Sequence, residues 1–337
     1  MKTFKVLDGG ILTSVQDLGR FGYQEYGVSP SGAMDIFSAK LGNFLLGNEQ
    51  NCAVLECTVK GIDIEFLEPS IFAITGAYCD AKLNHWSIRL FRTIKARKGD
   101  ILKLGFCKSG LRTYLAFLGG IDVPLVMNSR STNLKAKFGG FEARALKKGD
   151  ELACFQKDFK QVKYLTLKRE FLPKYEKNLE ISIILDAQSD AFADCEKDKF
   201  FSNEYEISKD FDRMGIRLNG EEICHKKSAD IISDGISFGS IQIPGNNQPI
   251  IMMSDRQTTG GYTKIGTVSS TDLPKLAQAG SGIKISFKKI SLEDSQNKLK
   301  TTPSFESICR ELRRSKIKNY FLHINGRTFK TSIKRHS

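Results

Sequence analysis

Apolar and polar residues alternate along many short stretches of this chain, among them Ile62-Asp63-Ile64-Glu65-Phe66, Ile101-Leu102-Lys103-Leu104 and Ile283-Lys284-Ile285-Ser286-Phe287, each bounded by Gly, Asp, Asn or Pro. A period of two is that of a strand with one buried face, and tight links of this kind join antiparallel neighbours. The pattern therefore predicts antiparallel sheets or barrels and argues against a parallel sheet of alternating β and α units. A faint internal echo agrees: Lys98-Gly99-Asp100-Ile101-Leu102 and Lys148-Gly149-Asp150-Glu151-Leu152 are both Gly-Asp turns leading into a strand. Helical spacing is rare. It predicts a helix from Ser31 to Leu46 with Ser31 as N-cap, and shorter ones over Leu292–Lys300 and Ser304–Arg314. Near the end, Asn325-Gly326 lies between two strand-like runs and suits the positive φ values of a type I′ hairpin turn.

With 337 residues, the chain has room for two compact units. The lysine-rich stretch from about residue 158 to 180, with Pro173 inside it, is the natural boundary. We therefore expect a mainly β protein with two β-rich subdomains, 1–160 and 180–290, few helices, and a basic C-terminal helix and hairpin over 291–337. Apolar runs such as Pro249 to Met253 fall far short of the roughly 18 residues of a membrane-spanning helix. The first residues break into Asp8-Gly9-Gly10 before any signal-like apolar stretch, so the expected location is the cytoplasm.

The net charge of +13 is unevenly placed. From Ser295 onward, eleven Lys and Arg residues face only Glu306 and Glu311, which reads as a solvated surface or a docking face for an acidic protein. No aromatic RNA-binding strand, basic zipper or zinc-finger spacing accompanies it, so nucleic acid is not an expected partner. The eight cysteines include no Cys-x-x-Cys pair, and the four histidines stand apart, so neither a metal site nor a histidine-led triad is expected.

Two stretches carry more chemistry than folding requires. One runs from Thr13-Ser14-Val15-Gln16-Asp17-Leu18-Gly19-Arg20 to Ser31-Gly32-Ala33-Met34-Asp35 and gathers hydroxyls, an amide, carboxylates, a guanidinium and glycines. It suits a clamp for a carboxylate or phosphate, or else a loop in which Asp17 and Arg20 pair with each other. The other, Ser254-Asp255-Arg256-Gln257-Thr258-Thr259-Gly260-Gly261-Tyr262, follows an apolar strand directly, as a site mounted on a barrel rim would.

These segments, with Leu115-Ala116-Phe117-Leu118-Gly119-Gly120-Ile121, Ser129-Arg130-Ser131-Thr132 and Asp212-Arg213-Met214-Gly215-Ile216-Arg217-Leu218, resemble in order the motifs of the 5-oxoprolinase C-subunit family. That family is also called allophanate hydrolase subunit 2 or the biotin-dependent carboxyltransferase family. The resemblance spans residues 4 to about 295. It implies two β-rich subdomains of cyclophilin-like barrel character, acting with partner subunits A and B in the ATP-dependent opening of the 5-oxoproline lactam to L-glutamate. Related domains of urea amidolyase move a carboxyl group from carboxybiotin to urea, which supplies an alternative reading; a non-catalytic binding or regulatory subunit is another.

On the first reading, Arg20 and Arg256 neutralise carboxylate or phosphate charge, and Asp17 or Asp255 orients or deprotonates water. Gln188, Gln257 and Thr258 then position the amide, with Ser14, Gln16, Ser31, Asp35, Arg130, Thr259, Gly260, Gly261 and Tyr262 as further binding residues. The chain has no Gly-x-x-x-x-Gly-Lys-[Ser/Thr] phosphate loop and no Ala-Met-Lys-Met biotinylation sequence. ATP would thus be used by the complex, and biotin, if any, would arrive on another protein. Five positions depart from the family pattern: Asp186-Ala187 replaces Gly-Pro before Gln188, Asn128 replaces glycine, Asp234 replaces glutamate, and Thr263 replaces proline.

Overall fold

The alternating segments form strands because each buries one face. Phe4, Ile64, Phe66, Phe72, Leu115 and Phe117 all turn inward into one core, with the Phe4 and Phe117 rings stacked at 4.6 Å. In the computed structural model these residues belong to a ten-stranded antiparallel sheet. The description covers residues 1–155, 158–159, 162–314, 316–324 and 327–335, and only the backbone from 313 onward. The sheet is organised around the long strand Ile101–Phe117, which pairs with Ser70–Leu83, Val54–Thr58 and Asp63–Phe66. Both echoed turns do the same work: Asp100 and Asp150 each accept the amide proton of the residue three before, at 2.7 and 2.8 Å, and launch a strand.

The second unit is a closed seven-stranded barrel. Its strands follow one another around the wall as Asn178–Leu185, Lys264–Val268, Ser240–Gln242, Ile250–Met252, Gly215–Asn219, Glu204–Ile207 and Lys284–Lys289. All neighbours are antiparallel except at the seam, where Asn178–Ile183 runs parallel to Lys284–Lys289. Ile181, Ile183, Ile251 and Ile285 fill the interior, and Phe200 stacks on Phe287 at 4.4 Å. Met34, from the first unit, is packed into this second core.

The first helix corrects the sequence reading. It covers Ile36–Leu46, and its N-cap is Asp35, whose carboxylate accepts the Ser38 amide proton at 3.0 Å. Ser31 cannot cap it, because Ser31 (φ 54°) and Gly32 (φ 90°) both lie in the left-handed region and reverse the chain first. Gly32 is required there: a Cβ would stand 2.8 Å from the backbone of Leu18 and Gly19. The helix Leu292–Thr301 forms as expected under a Ser291–Asp294 capping box. The next one stops at Arg310 rather than Arg314, because Arg313–Arg314 instead pairs with Leu165–Thr166. Lys316–Ile324 and Arg327–Arg335 form an antiparallel pair with Ile324 opposite Arg327; Asn325 and Gly326 lie outside the described residues. Among the described residues no helix is long and apolar enough to cross a membrane.

The helix Leu292–Thr301 is tied to the barrel through Asp272, which is 1% exposed, accepts from Lys298 at 2.7 Å and forms an ion pair with Lys275 at 2.8 Å. Burial works to raise the pKa of this carboxyl, but the bonds from Lys275, Lys298 and the Ser182 amide outweigh it and hold it below the usual range. A depressed carboxyl contributes stability above its unfolded pKa and loses it as pH falls through the folded value. Since both lysines are partly exposed, Asp272→Ala should cost about 2 kcal/mol in urea denaturation at neutral pH, and the deficit should shrink on acidification. Equal midpoints at pH 7 would rule out this tie.

Candidate functional site

Glu56 lies in the middle of the buried strand Val54–Thr58, where an isolated charge would be costly. Its Oε2 accepts from the Tyr114 hydroxyl and the Met34 amide, both at 2.8 Å, and its Oε1 meets Nη1 of Arg213 across the junction with the barrel. Arg213 sits in the turn before Gly215–Asn219, a turn held by Asp212, which accepts from the Met214 and Gly215 amides. Its Nε and Nη2 donate to the two oxygens of Asp255 at 2.9 and 3.1 Å, and Nη2 also donates to the Gly32 carbonyl at 2.6 Å. Burial works against this guanidinium, but Asp255 and Glu56 more than offset it and keep it charged.

A second bridge lies alongside. Gln278 accepts the Leu111 and Arg112 amide protons at 3.0 and 2.9 Å, and donates to Asp35 Oδ2 at 2.8 Å and the Arg112 carbonyl at 3.0 Å. The Tyr114 hydroxyl accepts from the Asp35 amide at 2.7 Å and so links the two bridges. Asp35, sealed from water, has its carboxyl pKa raised by burial despite the bonds from Gln278 and Ser38. Cavities open on both sides of the junction: one of about 180 Å³ bordered by Arg112, Arg213 and Asp255, and one of about 380 Å³ bordered by Asp35, Gln278 and Lys298.

The Thr13–Arg20 stretch folds against residues 126–139. Asp17 accepts from the hydroxyls of Ser129 and Ser131 and from the amides of Gly19 and Arg130. Arg20 does not pair with it directly: Nη2 donates to the Ser131 carbonyl, the guanidinium lies 4.6 Å from the Phe138 ring centre, and Nη1 is buried without a partner. Burial lowers the pKa of Arg20, partly offset by the charges of Asp17 and Asp255. Gln16 donates to Ser14 at 2.9 Å and the Thr132 carbonyl at 3.1 Å, while its Oε1 is buried and unpaired. Ser31 accepts from Asn133 at 3.2 Å, and Arg130 turns away to the Val123 carbonyl and the Phe155 ring.

The stretch from Ser254 onward is not one irregular loop. Thr259–Tyr262 forms a two-stranded flap with Asp230–Gly235. Beneath it, Gln188 donates to Asp234 at 2.8 Å and accepts the Lys264 amide proton at 3.0 Å, while Lys264 Nζ donates to Asp234 at 2.7 Å and the Gly235 carbonyl at 2.8 Å. Arg256 donates to the Ile236 carbonyl at 3.0 Å and the Met253 carbonyl at 3.3 Å. Burial lowers its pKa to about 10. Gln257 is exposed, Thr258 gives its carbonyl to the Ile236 amide, and the Tyr262 carbonyl accepts from Gln242.

The expected convergence of five residues is thus divided. Arg20 lies close enough to Asp255 to feel its charge, Asp17 is bound wholly within the first unit, and Arg256 and Gln257 lie on the barrel side next to the flap. Both oxygens of Asp17 and of Asp255 already accept hydrogen bonds, so their geometry suits holding loops and arginines in place rather than deprotonating water. Asp35 likewise spends its carboxylate on Ser38 and Gln278. The sequence reading passed over Glu56, Arg112, Gln278, Gln242 and Lys264, and named Arg213 only within a motif, without a role. One signal was available: Glu56 is a lone charge inside the otherwise apolar run Ala53-Val54-Leu55-Glu56-Cys57. Among the described residues, no group of three or more His, Cys, Asp or Glu is placed to hold a metal ion.

Residues 26–289 match the family described as carboxyltransferase domain, subdomain A and B. The chain belongs to this carboxyltransferase-domain family. The C subunit of the 5-oxoprolinase of Haemophilus influenzae is 36% identical over 289 residues, a match covering 86% of this chain and 92% of that one. The urea amidolyase of Lachancea kluyveri is 33% identical over 314 residues, but those make up only 17% of that much longer protein. Among solved structures, the urea amidolyase of K. lactis superposes with a TM-score of 0.85 at 30% identity, covering 91% of this chain and 20% of its own. The carboxyltransferase fold with its closed barrel, expected from the alternating strands and the resemblance, is therefore the fold of this chain.

Proposed function

We propose that this carboxyltransferase-domain chain is a component of a 5-oxoprolinase, acting with subunits A and B in the ATP-dependent opening of 5-oxoproline to L-glutamate. The observation that carries this reading is the reciprocal match to the Haemophilus influenzae protein: 86% of this chain against 92% of the relative, with no large part of either left over. The site chemistry agrees. Arg20 and Arg256 are buried cations that among the described residues have no hydrogen-bonded carboxylate, fitted to hold an oxyanion or a carboxylate. Asp17 and Asp255 fix the loops that carry them. ATP is used by the assembled complex, in the cytoplasm.

The test is to purify the chain with its A and B partners and measure glutamate release from 5-oxoproline and ATP. Release is expected from the complete set and not from the isolated chain. Turnover by the chain alone, or A–B activity indifferent to it, would overturn the reading. A second reading, carboxyl transfer to a urea-like amide from biotin borne on another protein, draws support from the superposition on urea amidolyase. Urea-dependent carboxylation requiring a biotinylated partner, in place of glutamate release, would favour it.

A further inference from the structure

We propose that Arg256, flanked by Lys264 and the amides of Gln242 and Gln257, is a carboxylate-binding subsite at the mouth of the barrel, beneath the flap, that selects a small carboxylic acid. This rests on the reading above and deepens it, because 5-oxoproline carries a carboxylate beside its lactam whereas urea carries none.

Arg256 is the observation that leads there. It is 7% exposed, and among the described residues no carboxylate forms an ion pair with it. Arg213, by contrast, is paired with both Asp255 and Glu56. Two backbone carbonyls fix the Arg256 guanidinium through Nε and Nη1, and the Phe238 ring centre lies 5.6 Å away. Among the described residues Nη2 has no hydrogen-bond partner, yet it is not a sealed polar atom. A buried guanidinium held rigid, with one reachable donor edge and no counter-charge, is an anion receptor waiting for its anion.

The surroundings extend the receptor. Lys264 Nζ and Arg256 Nε are anchored on the carbonyls of adjacent residues, Gly235 and Ile236, which brings the two cations to the same strip of backbone. Lys264 is 6% exposed, while its acidic partner Asp234 has a side chain 54% exposed, so the pair leaves positive charge on the inner side. The flap lies directly over two amides: a Cβ on Gly260 would stand 2.8 Å from Gln242 Nε2 and 3.5 Å from Gln257 Nε2. These are donors in excess of acceptors, the composition that a carboxylate completes.

Calorimetry on the full chain, with 5-oxoproline, 2-pyrrolidinone (the same ring without the carboxylate) and urea as probes, tests the subsite. The wild-type chain should bind 5-oxoproline about 30-fold more tightly than 2-pyrrolidinone. Arg256→Gln should erase that preference in a chain that still melts cooperatively, with a Tm lowered only by the loss of its bonds to the Ile236 and Met253 carbonyls. Arg256→Lys should recover only part of it, since a point charge does not reproduce two coplanar N–H donors. Lys264→Gln provides a second variant and should weaken 5-oxoproline by about threefold. A wild-type chain without the preference, or an Arg256→Gln chain that keeps it, would overturn the proposal. In the assembled enzyme, glutamate release with an unchanged KM in Arg256→Gln would sink the subsite and leave the function standing. A preference lost with Arg256, in a complex that releases no glutamate, would do the reverse.

Discussion

Replacing Arg213 with alanine should destabilise the chain by about 3–5 kcal/mol, because it strands the buried carboxylate of Asp255 and takes the nearer arginine from Glu56. Glu56, 1% exposed, is left with Arg112 Nε at 3.9 Å, Asp255, 6% exposed, loses its two-pronged partner, and the Gly32 carbonyl loses a donor. Urea denaturation of the full chain measures this. Arg213→Lys should recover only part of the loss, since one ammonium cannot span the Asp255 pair, Glu56 and Gly32 together. Restoring charge balance with the double variant Arg213→Ala, Asp255→Ala should cost less than the two single losses summed, as expected of groups in one network. Strictly additive losses would show that Arg213 acts through packing alone.

The next largest effect should come from Gln278→Ala, at about 3 kcal/mol. One side chain satisfies two amide protons, a backbone carbonyl and one oxygen of Asp35, and each buried group left unpaired costs on the order of 1 kcal/mol or more. Gln278→Glu keeps the acceptor for the two amides but sets a second carboxyl against Asp35. It should therefore be at least as damaging at neutral pH and partly relieved in acid, where one of the two carboxyls takes up a proton. Denaturation midpoints of both variants at two pH values decide the matter, and a Gln278→Glu chain as stable as wild type would contradict the bridge.

The period-two segments were legible because a strand's burial pattern is local: Ile62 to Phe66 and Ile283 to Phe287 became strands over Asp63–Phe66 and Lys284–Lys289. Where a boundary depended on backbone sign rather than side-chain type, the sequence misled. Ser31 is an excellent N-cap by composition, but its left-handed φ is imposed by the crossing of residues 17–19 beneath Gly32, a contact invisible along the chain. The site was half legible for a similar reason. Residue types in Thr13–Arg20 and Ser254–Tyr262 announced polar chemistry, but not which groups face each other. Glu56 and Arg213 are 157 positions apart, and their meeting is a property of the junction. Asp17 and Arg20, three apart and open to pairing by sequence, instead bond to Ser129, Arg130 and Ser131.

The parallel seam of the barrel bears on how the protein is made. Asn178–Ile183 finds its parallel neighbour only in Lys284–Lys289, the last strand of the wall, so the barrel stays open-edged until that segment has left the ribosome. The ten-stranded sheet has no such wait, since all its strands lie before residue 155. It emerges first, carrying Glu56 and Asp35 without the Arg213 and Gln278 that later answer them. Closure of the seam and neutralisation of the junction are thus late events of synthesis. A nascent chain stalled before Lys284 would expose an unpaired strand edge, the kind of surface a chaperone would recognise.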